Sequence, residues 1–207
     1  MAFEFINSGY FSGKLQLPNV AGSLPEGSAL DEAIESYTKE YLYTILGYPL
    51  AARLIAIMDA YNPASPNDTA TEYRQLTFGS TYVGSDGVTY KWNGFTTHVD
   101  DVGDFISPIA NYVYCKKREL DLQITVASGG VVPNYEHGTT SLDTYKIQKA
   151  WNDMVKMNWH LHNWLTANAS SFTAYKYIGA TYVPDTDLID LCADNQLLFI
   201  FRNRITI

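Results

Sequence analysis

The feature that most constrains this chain is a tight joint at Gly47-Tyr48-Pro49 with a helical pattern on either side of it. Before the joint, Leu30, Ala33, Ile34, Tyr37, Tyr41 and Ile45 recur at three- and four-residue spacing, which draws one apolar stripe along a helix. Ser28 suits the N-cap, and Asp31 and Glu32 fall in the first turn, where the helix dipole favours negative charge. Gly47 suits the left-handed position just past a helix end, and Pro49 suits the first turn of a second helix over residues 50–60. Two helices joined this closely make a rigid corner with an aromatic face. That is a scaffold's feature, and nothing around it has catalytic character.

The remaining chain reads as further helices with extended insertions. Residues 14–20 are predicted as a short strand or extended arm ending at Pro18-Asn19, and 62–67 as a loop holding two prolines. One or two helical turns follow over 71–76. Thr81-Tyr82-Val83 and residues 88–92 then flank Gly84-Ser85-Asp86-Gly87, so a β-hairpin insertion is expected at about 78–95. A lone hairpin is marginal in water and has to pack on the helices or on another chain. A third helix is predicted from near Asp104 to about Ile124, with Phe105, Ile109, Tyr112 or Val113, and Leu120 along one side. Residues 127–140 carry Gly129-Gly130, Pro133 and Gly138 and show no period; a loop this long is more often functional than structural. The fourth and longest helix is predicted over 141–172. Ile147, Trp151, Met154, Leu161 and Leu165 face inward there, and Lys146, Lys149, Asp153 and Lys156 outward. The stretch 197–207 is apolar and β-prone and would aggregate if left unpaired, so it is expected to pair within the fold or with a neighbouring subunit.

No repeat, low-complexity tract or composition shift marks a second domain. The expected architecture is mainly α: one domain over 1–207, a bundle of about four helices with an inserted β-hairpin and extended terminal arms.

Charge narrows the function classes. With 22 acidic against 14 basic residues the chain lacks the excess of cations that sequence-independent nucleic-acid binding draws on. Lys116-Lys117-Arg118 is followed at once by Glu119 and Asp121 and reads as a solvated helix face. Sixteen tyrosines, each with an apolar body and a polar tip, suit either a core or surfaces that become half-buried on association. Cys115 and Cys192 sit in apolar runs and read as buried free thiols. The first residues, Met1 to Phe5, lack the basic start and apolar core of a secretory signal, and no apolar run approaches the roughly 18 residues of a spanning helix. A protein made and used in a reducing interior, with no membrane partner, is the expectation.

Candidate chemistry is thin. His160 and His162 lie two residues apart, which turns their rings about 200° from each other on a helix and away from a shared metal. His98 with Asp100, Asp101 and Asp104 lacks the spacing of a calcium loop, and capping of the third helix explains the aspartates more simply. No Gly-x-Ser-x-Gly, phosphate-binding or dinucleotide-binding pattern occurs, and neither cysteine has a histidine nearby in sequence. No catalytic set, cofactor site or metal site is expected.

The order of motifs resembles a known family. Residues 13–19 (Gly-Lys-Leu-Gln-Leu-Pro-Asn) lead into an acidic-capped helix that ends in Glu40-Tyr41-Leu42-Tyr43-Thr44-Ile45-Leu46-Gly47-Tyr48-Pro49-Leu50. Later come Ser107-Pro108-Ile109-Ala110-Asn111-Tyr112-Val113-Tyr114, then Lys149-Ala150-Trp151-Asn152-Asp153-Met154-Val155, then the tail Phe201-Arg202-Asn203-Arg204-Ile205-Thr206-Ile207. Together these resemble the head–tail connector, or adaptor, proteins of tailed bacteriophages and prophages; residues 173–196 match nothing in that pattern.

The resemblance implies a structural virion protein at the head–tail junction, made in the host cytoplasm. Such adaptors form a ring, of about twelve copies, that binds the portal protein above and a tail or connector protein below. DNA passes through the ring without specific binding. On this reading Val132, Pro133, Asn134, Tyr135, Phe199, Phe201, Arg202, Arg204, Ile205 and Ile207 are expected at subunit or portal interfaces. Asp100, Asp101, Asp104, Asp185 and Asp187 are expected to face the channel. The rival reading is an aromatic-rich ligand-binding module, for example one that stacks sugars.

Overall fold

The structure, a computed structural model, describes residues 3–17, 29–96, 107–127, 139–173 and 175, the side chains of 122–127 and 139–144 excepted. Among these residues the architecture is mainly helical with one antiparallel hairpin. The elements are α1 (Ala29–Leu46), α2 (Tyr48–Asp59), α3 (Thr71–Phe78), β1 (Ser80–Val83), β2 (Thr89–Trp92), α4 (Pro108–Ala127) and α5 (Thr139–Ala167). Their buried side chains form one continuous core.

The corner between α1 and α2 turns on Gly47. Its φ of 79° and ψ of 153° lie in a region that a side chain would forbid, extended rather than helical in ψ. Its N–H donates to the Tyr43 carbonyl at 3.1 Å and its carbonyl accepts from the Ala51 N–H at 3.0 Å, so one residue closes one helix and opens the next. On α1 the buried line runs through Leu30, Ile34, Thr38, Tyr41, Leu42, Ile45 and Leu46, while Ala33 and Tyr37 sit at its margin.

The N-terminal segment departs from the short strand or extended arm expected over 14–20. Gly13–Leu15 is a single 3₁₀ turn, entered through Gly13 at φ 58°, and residues 18–20 lie outside the described residues. Phe5, Ile6, Phe11, Leu15 and Leu17 are buried, so the segment joins the core as a run of turns rather than as a strand needing a partner. The Phe3 N–H donates to Asp59 Oδ1 at 2.8 Å, and the Tyr10 hydroxyl donates to the Thr96 carbonyl.

Helix α4 begins at Pro108, later than the predicted start near Asp104. Ser107 makes the start: its Oγ accepts from the Ala110 N–H at 3.3 Å and donates to the Phe95 carbonyl at 2.5 Å. The capping role expected of the aspartates therefore belongs to this serine. Ile109, Tyr112 and Val113 are buried as expected, but Leu120 is exposed and Arg118 is buried. Arg118 lies about 200° around the helix from Leu120, so the two cannot share one covered side. The expected solvated basic face is corrected in the same way: Lys116 pairs with Glu40 at 3.0 Å, Lys117 pairs with Asp121, and Arg118 turns inward.

Helix α5 carries the centre of the core. Ile147, Trp151, Met154, Leu161 and Leu165 are all buried, and Asp153 bridges Lys149 (2.8 Å) and Lys156 (3.4 Å) on the outer face. The helix stops at Ala167, five residues short of its predicted end. The Asn168 side-chain amide donates to the Trp164 carbonyl at 2.8 Å, and Phe172 folds back onto Trp164 with ring centroids 5.2 Å apart. Cys115 is buried, its Sγ 3.5 Å from the Ile147 carbonyl; Cys192 lies outside the described residues.

Candidate interaction surface

The residues expected at interfaces and in the channel all lie outside the described residues: Val132, Pro133, Asn134 and Tyr135; Phe199, Phe201, Arg202, Arg204, Ile205 and Ile207; and Asp100, Asp101, Asp104, Asp185 and Asp187. His98 and Ser28 lie outside them too. The described surface offers a different candidate, the hairpin.

Strands β1 and β2 pair in the register Ser80↔Trp92, Thr81↔Lys91, Tyr82↔Tyr90 and Val83↔Thr89. Gly84 N–H donates to the Val88 carbonyl at 2.9 Å, Gly87 N–H to the Gly84 carbonyl at 3.0 Å, and Gly87 takes φ 77°. That is a three-residue loop with its left-handed glycine, in keeping with the Ser-Asp-Gly signal. Asp86 holds the tip: its Oδ1 accepts from the Val88 N–H at 3.0 Å and its Oδ2 from the Tyr90 hydroxyl at 2.6 Å. The Tyr90 hydrogen bond keeps the Asp86 carboxyl below its ordinary pKa.

The base of the hairpin is locked to the body. Trp92 is buried and its Nε1–H donates to the Leu76 carbonyl at 2.9 Å, while Trp164 of α5 donates to Ser80 Oγ at 2.8 Å. The neck is closed by Gly79 (φ 92°) and Gly94 (φ 86°). A Cβ on either would stand about 2.5 Å from backbone atoms of the facing strand or helix end. Ser80, Tyr82, Tyr90 and Trp92 share the face toward α5, and Tyr82 and Tyr90 stack with centroids 5.7 Å apart. Thr81, Val83, Thr89 and Lys91 share the other face, and all four are exposed. The choice left open by the sequence is settled for the base, which packs on the helices of its own chain. Toward the tip Tyr82 is still buried, and it is the opposite face that is exposed, with Val83 62% exposed.

A second exposed aromatic feature crowns the helix corner. Tyr48 is 70% exposed and stacks on Tyr43, centroids 5.2 Å apart and planes 16° from parallel. By contrast Trp92, Trp151 and Trp164 are buried and Trp159 is partly covered.

Partly and fully buried ionisable groups hold elements together. Glu40 of α1 accepts from the Tyr112 hydroxyl at 2.7 Å and pairs with Lys116, both on α4. Burial alone would raise the Glu40 pKa, but these two donors outweigh it and hold the carboxyl below its ordinary value. Burial, then the bond to Glu40, drives the Tyr112 pKa far up, so its hydroxyl stays a donor. Tyr41, fully buried, hydrogen-bonds Asn158 Oδ1 and joins α1 to α5. The two histidines diverge as the helix geometry requires. His160 is exposed, whereas His162 is half-buried, with Nδ1 3.1 Å from the Tyr175 hydroxyl. Among the described residues no three His, Cys, Asp or Glu side chains gather to hold a metal ion, and no helix is long and apolar enough to cross a membrane.

Sequence reasoning found the hairpin but did not count its residues as a site. The signal available was Val83, Val88 and Tyr90 on a short two-stranded element that cannot bury them. In comparisons with known proteins, no family model, curated protein or solved structure matches the chain.

Proposed function

We propose that this chain is a ring-forming structural subunit of a tailed-phage head–tail connector, one that binds the portal and extends the DNA channel without acting on the DNA. The observation that carries the reading is where the family-like motifs fall. Gly47-Tyr48-Pro49 is the joint of α1 and α2, Ser107-Pro108 is the start of α4, and residues 149–155 are the middle of α5, where Trp151 and Met154 are buried. The resemblance therefore rests on residues that set the body's geometry. An acidic chain also suits the wall of a passage through which a duplex must slide.

The sugar-stacking alternative draws less support. Its usual platform is an exposed tryptophan face, and Trp92, Trp151 and Trp164 are committed to the core.

Electron microscopy of the purified protein mixed with portal rings tests the proposal. The expected result is a closed ring seated on the portal. Deleting residues 202–207 is expected to leave the folded monomer intact and to abolish that assembly. A truncated protein that still assembles removes the tail from the interface, and full-length protein that stays monomeric beside the portal at all concentrations overturns the connector reading.

A further inference from the structure

Among the described residues the hairpin is a two-stranded sheet with two unpaired edges, and the edges are not alike. In an antiparallel ladder, residues alternate between those that bond the partner strand and those whose N–H and C=O point outward. The Gly84–Val88 bond sets the phase, so the pairs Tyr82–Tyr90 and Ser80–Trp92 carry the internal ladder. Thr81 and Val83 on β1, and Thr89 and Lys91 on β2, then direct their backbone groups outward, and among the described residues these groups meet no partner. Lys91 guards the β2 edge, as charged side chains commonly do. The β1 edge carries no charge, and Val83 stays 62% exposed in the single chain.

One segment of the chain has the composition of a strand for that edge. As a strand, residues 199–207 would place Phe199, Phe201, Asn203, Ile205 and Ile207 on one side, apolar but for Asn203, and Ile200, Arg202, Arg204 and Thr206 on the other. The segment contains two arginines and no acidic residue, in a chain with 22 acidic and 14 basic residues, so its charge complements the body it would join. We propose that the outer edge of β1 accepts residues 199–207 of a second copy of this chain as a third strand. Main-chain bonds at Thr81 and Val83 would hold the strand, and its alternate side chains would flank Tyr82 on one face and Val83 on the other. A second copy is the occupant because a ring subunit needs a contact between neighbours, and the edge meets no partner among the described residues of one chain. The inference deepens the ring reading by naming a contact between neighbours. Each such contact is short, and closure of a ring multiplies it.

Two variants test it on the full-length protein. Val83→Cys with Ile205→Cys, in a Cys192→Ser background, is expected to give disulfide-linked dimers and higher oligomers on mild oxidation only when both new cysteines are present. An internally linked monomer, or no link, overturns the proposal. Val83→Pro removes an outward N–H that the hairpin's own ladder does not use. It is expected to leave the melting temperature within a few degrees of wild type and to weaken self-association at least tenfold. Unchanged self-association overturns the edge as a docking site even if rings still form on the portal, in which case the connector reading stands. Full-length protein that cross-links as expected yet never engages a portal leaves the strand contact established and removes the connector reading.

Discussion

Trp164 donates its indole N–H to the Ser80 hydroxyl at 2.8 Å, and this bond ties the base of the hairpin to the last turns of the longest helix. Trp164 is buried, so the bond forms where an unmade partner is costly. Trp164→Phe is expected to destabilise the protein by about 2–3 kcal/mol, combining a lost hydrogen bond with a small cavity. Ser80→Ala should cost about 1 kcal/mol, and the double mutant less than the sum of the two, because the pair shares one interaction. Denaturant melts of the four proteins check this.

The neck and the tip of the hairpin differ in what a side chain would meet. A Cβ at Gly79 would stand 2.5 Å from the Trp92 carbonyl oxygen, whereas at Gly87 nothing lies within 4 Å. Both residues have positive φ. Gly87→Ala is therefore expected to cost about 1–2 kcal/mol from backbone strain alone. Gly79→Ala should cost more than about 3 kcal/mol, because the backbone itself has to move. Comparable melting midpoints for the two variants would contradict the packing at the neck.

Glu40 links stability to acid. Its folded pKa is depressed by the Tyr112 hydroxyl and the Lys116 ammonium against the opposing effect of burial. The stabilisation is thus present above the unfolded value of about 4.3 and is lost as pH falls through the folded value. Glu40→Gln should flatten the fall in stability below about pH 4.5 while lowering stability at pH 7. Urea midpoints at pH 7 and pH 3.5 measure both effects.

His162 acts in a higher window. Burial depresses its pKa, so as pH drops below about 6.5 the unfolded chain takes up a proton before the folded one does. Its contribution is present above that pH and declines below it. The imidazole NMR titration of His162 should fall below the ordinary histidine value, and Tyr175→Ala, which uncovers the ring, should return it toward that value. A midpoint at or above 6.5 in the wild type would mean that the ring is hydrated.

Free protein at near-physiological salt is expected to show no appreciable affinity for duplex DNA, given 22 acidic against 14 basic residues. Screening at that ionic strength acts over about 8 Å, so titrations at several salt concentrations separate a local basic patch from the net charge. Sub-micromolar binding with a steep salt slope would turn the proposed passive channel wall into one that grips DNA.

The parts of this protein that sequence alone determined are those governed by local rules. The corner at Gly47 and Pro49 follows from backbone restriction, the hairpin from its Ser85-Asp86-Gly87 turn, and the inward line of Ile147, Trp151, Met154, Leu161 and Leu165 from helical period. Each needs only neighbours within a few residues. The tertiary structure decided whatever depends on distant partners. Phe95, 12 residues upstream, gives Ser107 its carbonyl acceptor and so helps to fix the start of α4 away from the aspartates. The packing around α4 buries Arg118 rather than Leu120, and the body draws Leu15 and Leu17 into the core where a short strand or extended arm was expected. Trp164, 84 residues from Ser80, fixes the base of the hairpin to α5. Period and propensity describe what a segment can bury; only the arrangement of the other segments determines what covers it.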